Sequence, residues 1–185
     1  MPPFNPTPGT NVSRTVVRIQ FVIHGVKVVD LMDSTVTFKC TINHWWNDTR
    51  TSWNASEYGG IETIWLKNDY NLNERSWVPD VMIRQDAGEG YLSDMKSTDV
   101  MIKSNGENLW STIGDVKVIT SFNVVKFPYD MQNITMTYGS WIYPDYRIAL
   151  ELDPDQPFIV FNSEIDWVLN NIEWTFINST VISIK

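Results

Sequence analysis

Three carboxylates, Glu151, Asp153 and Asp155, occupy alternate positions of one short segment. Clustered oxygens suit Ca²⁺, so the segment reads either as a calcium loop or as an ordinary solvated acidic loop. His44 stands beside Trp45 and Trp46 with no nucleophile next to it in sequence; a solvated or hydrogen-bonded imidazole fits it better than a catalytic base. Cys40 is the single thiol, which excludes an intrachain disulfide and a thiolate metal site. His24 and His44 are too few for a His-rich metal centre. No Gly-x-Ser-x-Gly elbow, Gly-x-Gly-x-x-Gly fingerprint or Walker loop occurs. A glycosidase pair of carboxylates depends on a separation that only a fold defines. The expectation is a chain with no catalytic residue, no metal site and no cofactor.

Binding chemistry is better represented. Nine Trp, seven Tyr and eight Phe in 185 residues give an aromatic share of 13%. Fourteen basic against 22 acidic residues leave a formal charge of -8, which argues against nucleic acid as a partner, since phosphate contacts need clustered Lys and Arg. No apolar run reaches the roughly 18–20 residues that cross a bilayer. The Pro-rich opening lacks the basic flank and apolar stretch of a signal peptide, so a leader has been removed or the chain is a trimmed form. One cysteine would suit the cytosol, but sequons at Asn11, Asn47, Asn54, Asn133 and Asn178 favour an extracellular glycoprotein.

The elements that must position these side chains are strands. Val17, Ile19, Phe21 and Ile23 alternate with more polar neighbours, as a half-buried strand requires. Val36, Phe38, Cys40 and Ile42 form a second inward row, with Thr37, Lys39, Thr41 and Asn43 outward. Val116, Val118, Thr120, Phe122 and Val124 form a third; Ile134, Met136 and Tyr138 form a fourth. Residues 165–184 read as two strands joined near 177–180. Turn signals fall at 30–34, 59–60, 68–73, 104–106 and 153–155. Residues 2–11 read as an extended lead-in, and 87–98 and 143–157 as loops. No amphipathic helix, repeat or low-complexity tract stands out. Many short strands with regular turns make an all-β sandwich or barrel.

The stretch Phe127-Pro128-Tyr129-Asp130-Met131-Gln132-Asn133-Ile134, followed by Gly139-Ser140-Trp141, is the most specific motif. It resembles the signature loop of the Cys-loop receptors, the pentameric ligand-gated ion channels, and of their soluble relatives, the acetylcholine-binding proteins. Trp77-Val78-Pro79-Asp80 is similar to the family's Trp-x-Pro-Asp motif, whose acid braces the loop carrying the binding tryptophan. Trp46-Asn47-Asp48 with Trp53-Asn54-Ala55-Ser56-Glu57-Tyr58 resembles the segment after the family's second strand, closest to nicotinic-type members. Ser163-Glu164 before Ile165-Asp166-Trp167 resembles the start of its ninth strand. The matches follow family order from about residue 16 to 185. The two bridge cysteines fall on Thr120 and Ile134, so the disulfide is absent; in the loop-entropy model it would contribute about 3 kcal/mol. Both positions lie on inward rows, where packing offsets part of that loss. Cys40 reads as a small buried hydrophobe.

The resemblance implies a ligand held between subunits in a box of aromatic faces, whose negative potential suits ammonium groups. Trp141 matches the central tryptophan of the box and Tyr143 a supporting aromatic. Arg84 stands where the family usually has tyrosine. Thr41, Leu109 and Ser111 fall on the complementary face. The tail is too short for the usual loop C and lacks its cysteine pair, leaving Trp174 or Phe176 as stand-ins. Arg84 disfavours a quaternary amine and suits a carboxylate or other anion, unless it turns away to pair with an acid such as Asp86. Asp33, Asp130 and Lys185 match charges near the membrane end, either as a gating relay or as a stabilising network.

The resulting expectation is one extracellular domain over residues 1–185, an immunoglobulin-like twisted β-sandwich of about ten strands. It would assemble as a homopentamer and bind a small molecule at subunit interfaces to gate a pore. Membrane contact would come only through a pore domain outside this chain. The alternatives are a secreted acetylcholine-binding-protein-like pentamer and, from another class, a secreted carbohydrate-binding sandwich; an all-β glycosidase is a further rival.

Overall fold

The computed structural model describes residues 1–3, 14–67, 76–88, 95–127, 129–155, 158–160, 172–176 and 180–184. The expected lead-in at 2–11, the turn at 68–73 and Pro128 fall wholly or mainly outside them, as do Ser163–Trp167 and Lys185.

The alternating apolar residues form long ladders. β1 (Thr15–Asp30) and β2 (Thr35–Asn47) pair antiparallel across a turn in which Asp30 Oδ1 accepts from the Met32 and Asp33 amides, each at 3.0 Å. The remaining strands are β3 (Thr63–Leu66), β4 (Val81–Ile83), β5 (Met95–Ser97), β6 (Val100–Lys103), β7 (Glu107–Ile119), β8 (Ile134–Ser140), β9 (Ile148–Leu152), β10 (Phe158–Val160), β11 (Ile172–Phe176) and β12 (Thr180–Ile184). β2 and β7 stay in register from Thr35↔Ile119 to Asn47↔Glu107. One sheet of eight strands runs β10-β1-β2-β7-β6-β3, with β5 on β7 and β9 on β1; a second of four runs β11-β12-β8-β4.

Their inward rows meet in one core. Val17, Ile19, Phe21 and Ile23 of β1 and Val36, Phe38, Cys40 and Ile42 of β2 join Val81 and Ile83 of β4 and Ile134, Met136 and Tyr138 of β8. Each fully buried aliphatic or aromatic side chain contributes about 1.5–3 kcal/mol. Phe21 meets Tyr138 edge to face at 5.2 Å, bridging the sheets. This is the expected β-sandwich, and the two tail strands pair as expected.

Three local expectations change. The third inward row ends with β7: Thr120 and Phe122 are half-buried, and Val124 is 47% exposed. The Thr120 amide makes the last rung, to the Ser34 carbonyl at 2.9 Å, and pairing stops there because Ser34 already belongs to the β1–β2 turn. β5 lies inside the expected loop 87–98, because Met95–Ser97 find β7 as a partner. β9 lies inside the expected loop 143–157; parallel pairing to β1 buries Ile148 and Ala149. Parallel partners are distant in sequence, so turn residues between them hid the strand.

Among the described residues no helix is long and apolar enough to cross a membrane, and no three His, Cys, Asp or Glu side chains group as metal ligands.

Candidate functional site

Asp80 precedes β4 and faces the end of β8, because Val81 pairs with Ser140. Its carboxylate takes the Ser140 hydroxyl on Oδ1 at 2.7 Å and the Ile142 amide on Oδ2 at 2.8 Å. Its carbonyl takes the Trp141 amide at 3.0 Å, and Ser140 Oγ accepts from the Tyr143 amide at 2.9 Å. Four hydrogen bonds thus fix the three residues after Ser140. Neither Trp141 nor Ile142 is drawn into the core, and Trp141 is 70% exposed. An aromatic face of that size standing in water on a braced backbone is suited to a ligand. Trp77 and Pro79 serve the brace from below: Pro79 is buried, and Trp77 packs edge-on to Trp46 at 5.5 Å.

Trp141 and Tyr143 line a cleft of about 950 Å³ together with Arg84, Tyr146, Asp145 and Arg14. Arg84 opens the turn after β4, where its amide donates to the Thr137 carbonyl at 2.9 Å. Among the described residues it pairs with no acid; the carboxylate of Asp86 caps the Gly88 amide instead, at 2.9 Å. The Asp86 alternative for Arg84 therefore has no support in the geometry.

Thr41, Leu109 and Ser111 do not line this cleft. They lie on β2 and β7 of the larger sheet, half-buried, with Thr41 in register with Ile113, Asn43 with Ser111 and Trp45 with Leu109. Thr41 Oγ1 shares a hydrogen bond with His24 Nε2 at 2.9 Å. Ser111 Oγ donates to Asn43 Oδ1 at 2.6 Å, and Asn43 Nδ2 donates to Gln20 Oε1 at 3.0 Å. A polar ladder thus crosses three strands on the face opposite the core. Trp174 and Phe176 lie on β11, at the far edge of the sheet that contains β8; their side chains fall outside what the structure describes.

The signature loop is exposed and apolar at its tip. Phe127, Tyr129 and Met131 are exposed, and Leu31 and Met32 of the β1–β2 turn are exposed as well. Its neck is closed by a side chain: Gln132 Oε1 accepts from the Asn123 amide at 2.9 Å and Nε2 donates to the Asn123 carbonyl at 3.1 Å. Gln132 thereby imitates a backbone pair inside the segment bounded by Thr120 and Ile134. It also donates to Asp130, whose other oxygen is buried without a partner among the described residues. Asp33 is exposed and in no ion pair among the described residues. Of the sequons, Asn47, Asn54 and Asn133 are exposed, while Asn11 and Asn178 lie outside the described residues. Glu151 is exposed on β9, and Asp153 and Asp155 follow it.

Sequence reasoning missed Arg14, and it allowed a hydrogen-bonded His44 without placing it in the core. Arg14 reaches the cleft through the parallel pairing of Thr15 with Ile148, which leaves no local signal. His44 lies fully buried between the sheets, Nδ1 3.2 Å from the Trp110 carbonyl and Nε2 2.6 Å from the Tyr138 hydroxyl. Burial pulls its pKa from 6.5 to about 4, opposed in part by the Trp110 carbonyl. Its place on the inward row after Ile42 was the available clue. Desolvation also pushes the Cys40 thiol up to about 12, with Asp115 adding to the effect.

Comparison with known proteins bears on this arrangement. The model of the neurotransmitter-gated ion-channel ligand binding domain matches residues 4–183. The human neuronal acetylcholine receptor subunit beta-3 is 29% identical over 165 residues, covering 85% of this chain and 33% of the receptor subunit. The rat beta-3 subunit is 28% identical over 174 residues, covering 90% and 34%. The goldfish (Carassius auratus) subunit non-alpha-3 is 29% identical over 161 residues, covering 84% and 32%. The chain spans about a third of the length of these relatives.

Proposed function

The chain belongs to the neurotransmitter-gated ion-channel ligand-binding domain family, and from that premise we propose that it is the extracellular sensor of a pentameric channel. It is a single domain over its 185 residues. It binds a small molecule and performs no chemistry on it. Five copies close into a ring through head-to-tail contacts, in which each copy uses two different faces. The cleft of Trp141, Tyr143 and Arg84 is the principal face. The row of Thr41, Leu109 and Ser111, on the other sheet, is the complementary face presented to the next copy. Ligand shifts the equilibrium between two arrangements of that interface by preferring one of them. A pore domain beyond this chain carries the membrane contact, facing the apolar tip at Phe127, Tyr129 and Met131.

The observation that carries the reading is Trp141, held 70% exposed on a cleft by Asp80 and Ser140. Light scattering coupled to size exclusion tests the assembly, with five chain masses expected. A monomer at micromolar concentration would overturn the ring. Trp141→Ala tests the site: it should abolish saturable ligand binding while the five-chain mass persists.

A further inference from the structure

The described lining of the cleft carries two guanidiniums, Arg14 and Arg84, against one carboxylate, Asp145. The chain as a whole has the opposite balance, at -8. Neither arginine takes part in an ion pair among the described residues. They arrive by unrelated routes. Arg84 opens the turn after β4, where its amide is fixed to the Thr137 carbonyl at 2.9 Å. Arg14 immediately precedes β1, where the Thr15 amide is fixed to the Arg147 carbonyl at 2.8 Å. Both backbones are thus anchored at the base of a side chain that borders the same space as the exposed Trp141 ring.

We propose that this cleft takes a small organic carboxylate, with Arg84 and Arg14 gripping its charged end and Trp141 covering its apolar body. The inference rests on the cleft being the ligand site. Guanidinium forks match carboxylate oxygens in geometry and keep their charge at any physiological pH. A cation entering the same space meets two like charges, which oppose the attraction of the Trp141 face. Arg14 is thus a specificity-determining residue beside Arg84, and it supplies the second half of a two-sided grip.

The test uses three probes of one shape and different charge, phenylacetate, phenylacetamide and phenethylamine, titrated by calorimetry into the chain in its solution assembly. Phenylacetate should bind at least tenfold more tightly than the neutral amide, and the amine more weakly than either. Arg84→Ala and Arg14→Ala should each lower phenylacetate affinity about tenfold and lower amide affinity by much less. Arg84→Lys, which keeps charge but not the fork, should recover part of the loss. Both arginine side chains border open space, so these variants keep the fold; circular dichroism checks it. Amine binding tighter than carboxylate, or phenylacetate binding insensitive to both arginine variants, would overturn the inference. If Trp141→Ala then still abolishes amine or amide binding, the site stands and only its charge preference falls. No binding of any probe at 10 mM, a concentration of roughly millimolar sensitivity, counts against the carboxylate.

Discussion

The Ser140 hydroxyl donates to Asp80 Oδ1 at 2.7 Å across 60 positions of sequence, while the other oxygen of the same carboxylate holds the Ile142 amide at 2.8 Å. One side chain therefore fixes the residues on either side of Trp141. The tryptophan is presented by its neighbours rather than by packing of its own.

Asp80→Ala should free that segment. Hydrogen bonds to a charged group contribute about 1.5–3 kcal/mol each, less where water has access. The expected result is faster amide exchange at Ile142 and Tyr143, with weaker ligand binding and β1–β2 exchange unchanged. Unaltered exchange at Ile142 would show that Asp80 is not the brace.

His44 makes stability depend on pH. Its partners assign the hydrogen to Nδ1, facing the Trp110 carbonyl, and leave Nε2 to accept from Tyr138. The folded state holds the imidazole neutral down to about pH 4, whereas the unfolded chain protonates it near 6.5. Between those values the unfolded state binds more protons, so stability is full above about 6.5 and falls as pH drops towards 4. The loss is roughly 3 kcal/mol at about 1.4 kcal/mol per pH unit. Urea titrations at pH 7.5, 5.5 and 4.5 should show it (working values on the order of that window), and His44→Gln should remove most of the slope although it lowers stability at every pH.

Tyr138→Phe removes the hydroxyl that satisfies His44 Nε2 and should cost about 1–3 kcal/mol, since it orphans a buried acceptor. Chemical denaturation with an unchanged m-value is the measurement. A neutral result would place water or another donor at Nε2.

Cys40 should resist thiol reagents. It is buried, and its pKa is pushed up to about 12, so almost no thiolate is present near pH 8. Modification should follow the unfolding transition in denaturant. Fast labelling of the native chain would contradict its place in the core.

Gly106→Ala should destabilise the β6–β7 turn. Gly106 sits at φ +87°, and an added Cβ would lie 2.8 Å from the Asp48 carbonyl oxygen. That carbonyl belongs to a residue whose amide donates to the Gly106 carbonyl at 2.8 Å, so it has little room to retreat. A loss of about 1–3 kcal/mol is expected from the strained φ and the close contact together. A shift of the urea midpoint reads it directly.

The strands with the cleanest alternation were also the most legible. Val17 to Ile23, Val36 to Ile42 and Ile134 to Tyr138 alternate cleanly, because a sheet with one buried face imposes a period of two on its own sequence. β4, β5 and β9 were not legible. Three to five residues carry too little period, and their partners on β8, β7 and β1 are remote. The row continued past Ile119 to Val124 failed for a related reason. Alternation persists in the letters, but Thr120 on Ser34 is the last rung, because only turn residues lie beyond the start of β2 at Thr35.

Of the site, the sequence by itself determined the motif residues: Trp77, Pro79 and Asp80, and Gly139, Ser140 and Trp141, with Arg84 in place of an aromatic. They stand out by resemblance to the receptor family's motifs, whose residues lie close together in the chain. Only the tertiary structure decided that Asp80 grips Ser140, that Arg14 joins Arg84 at the cleft and that His44 bolts one sheet to the other through Tyr138. Each of those contacts joins segments whose approach is set by strand pairing and by packing of two sheets. That geometry is a property of the whole chain, and no window of sequence contains it.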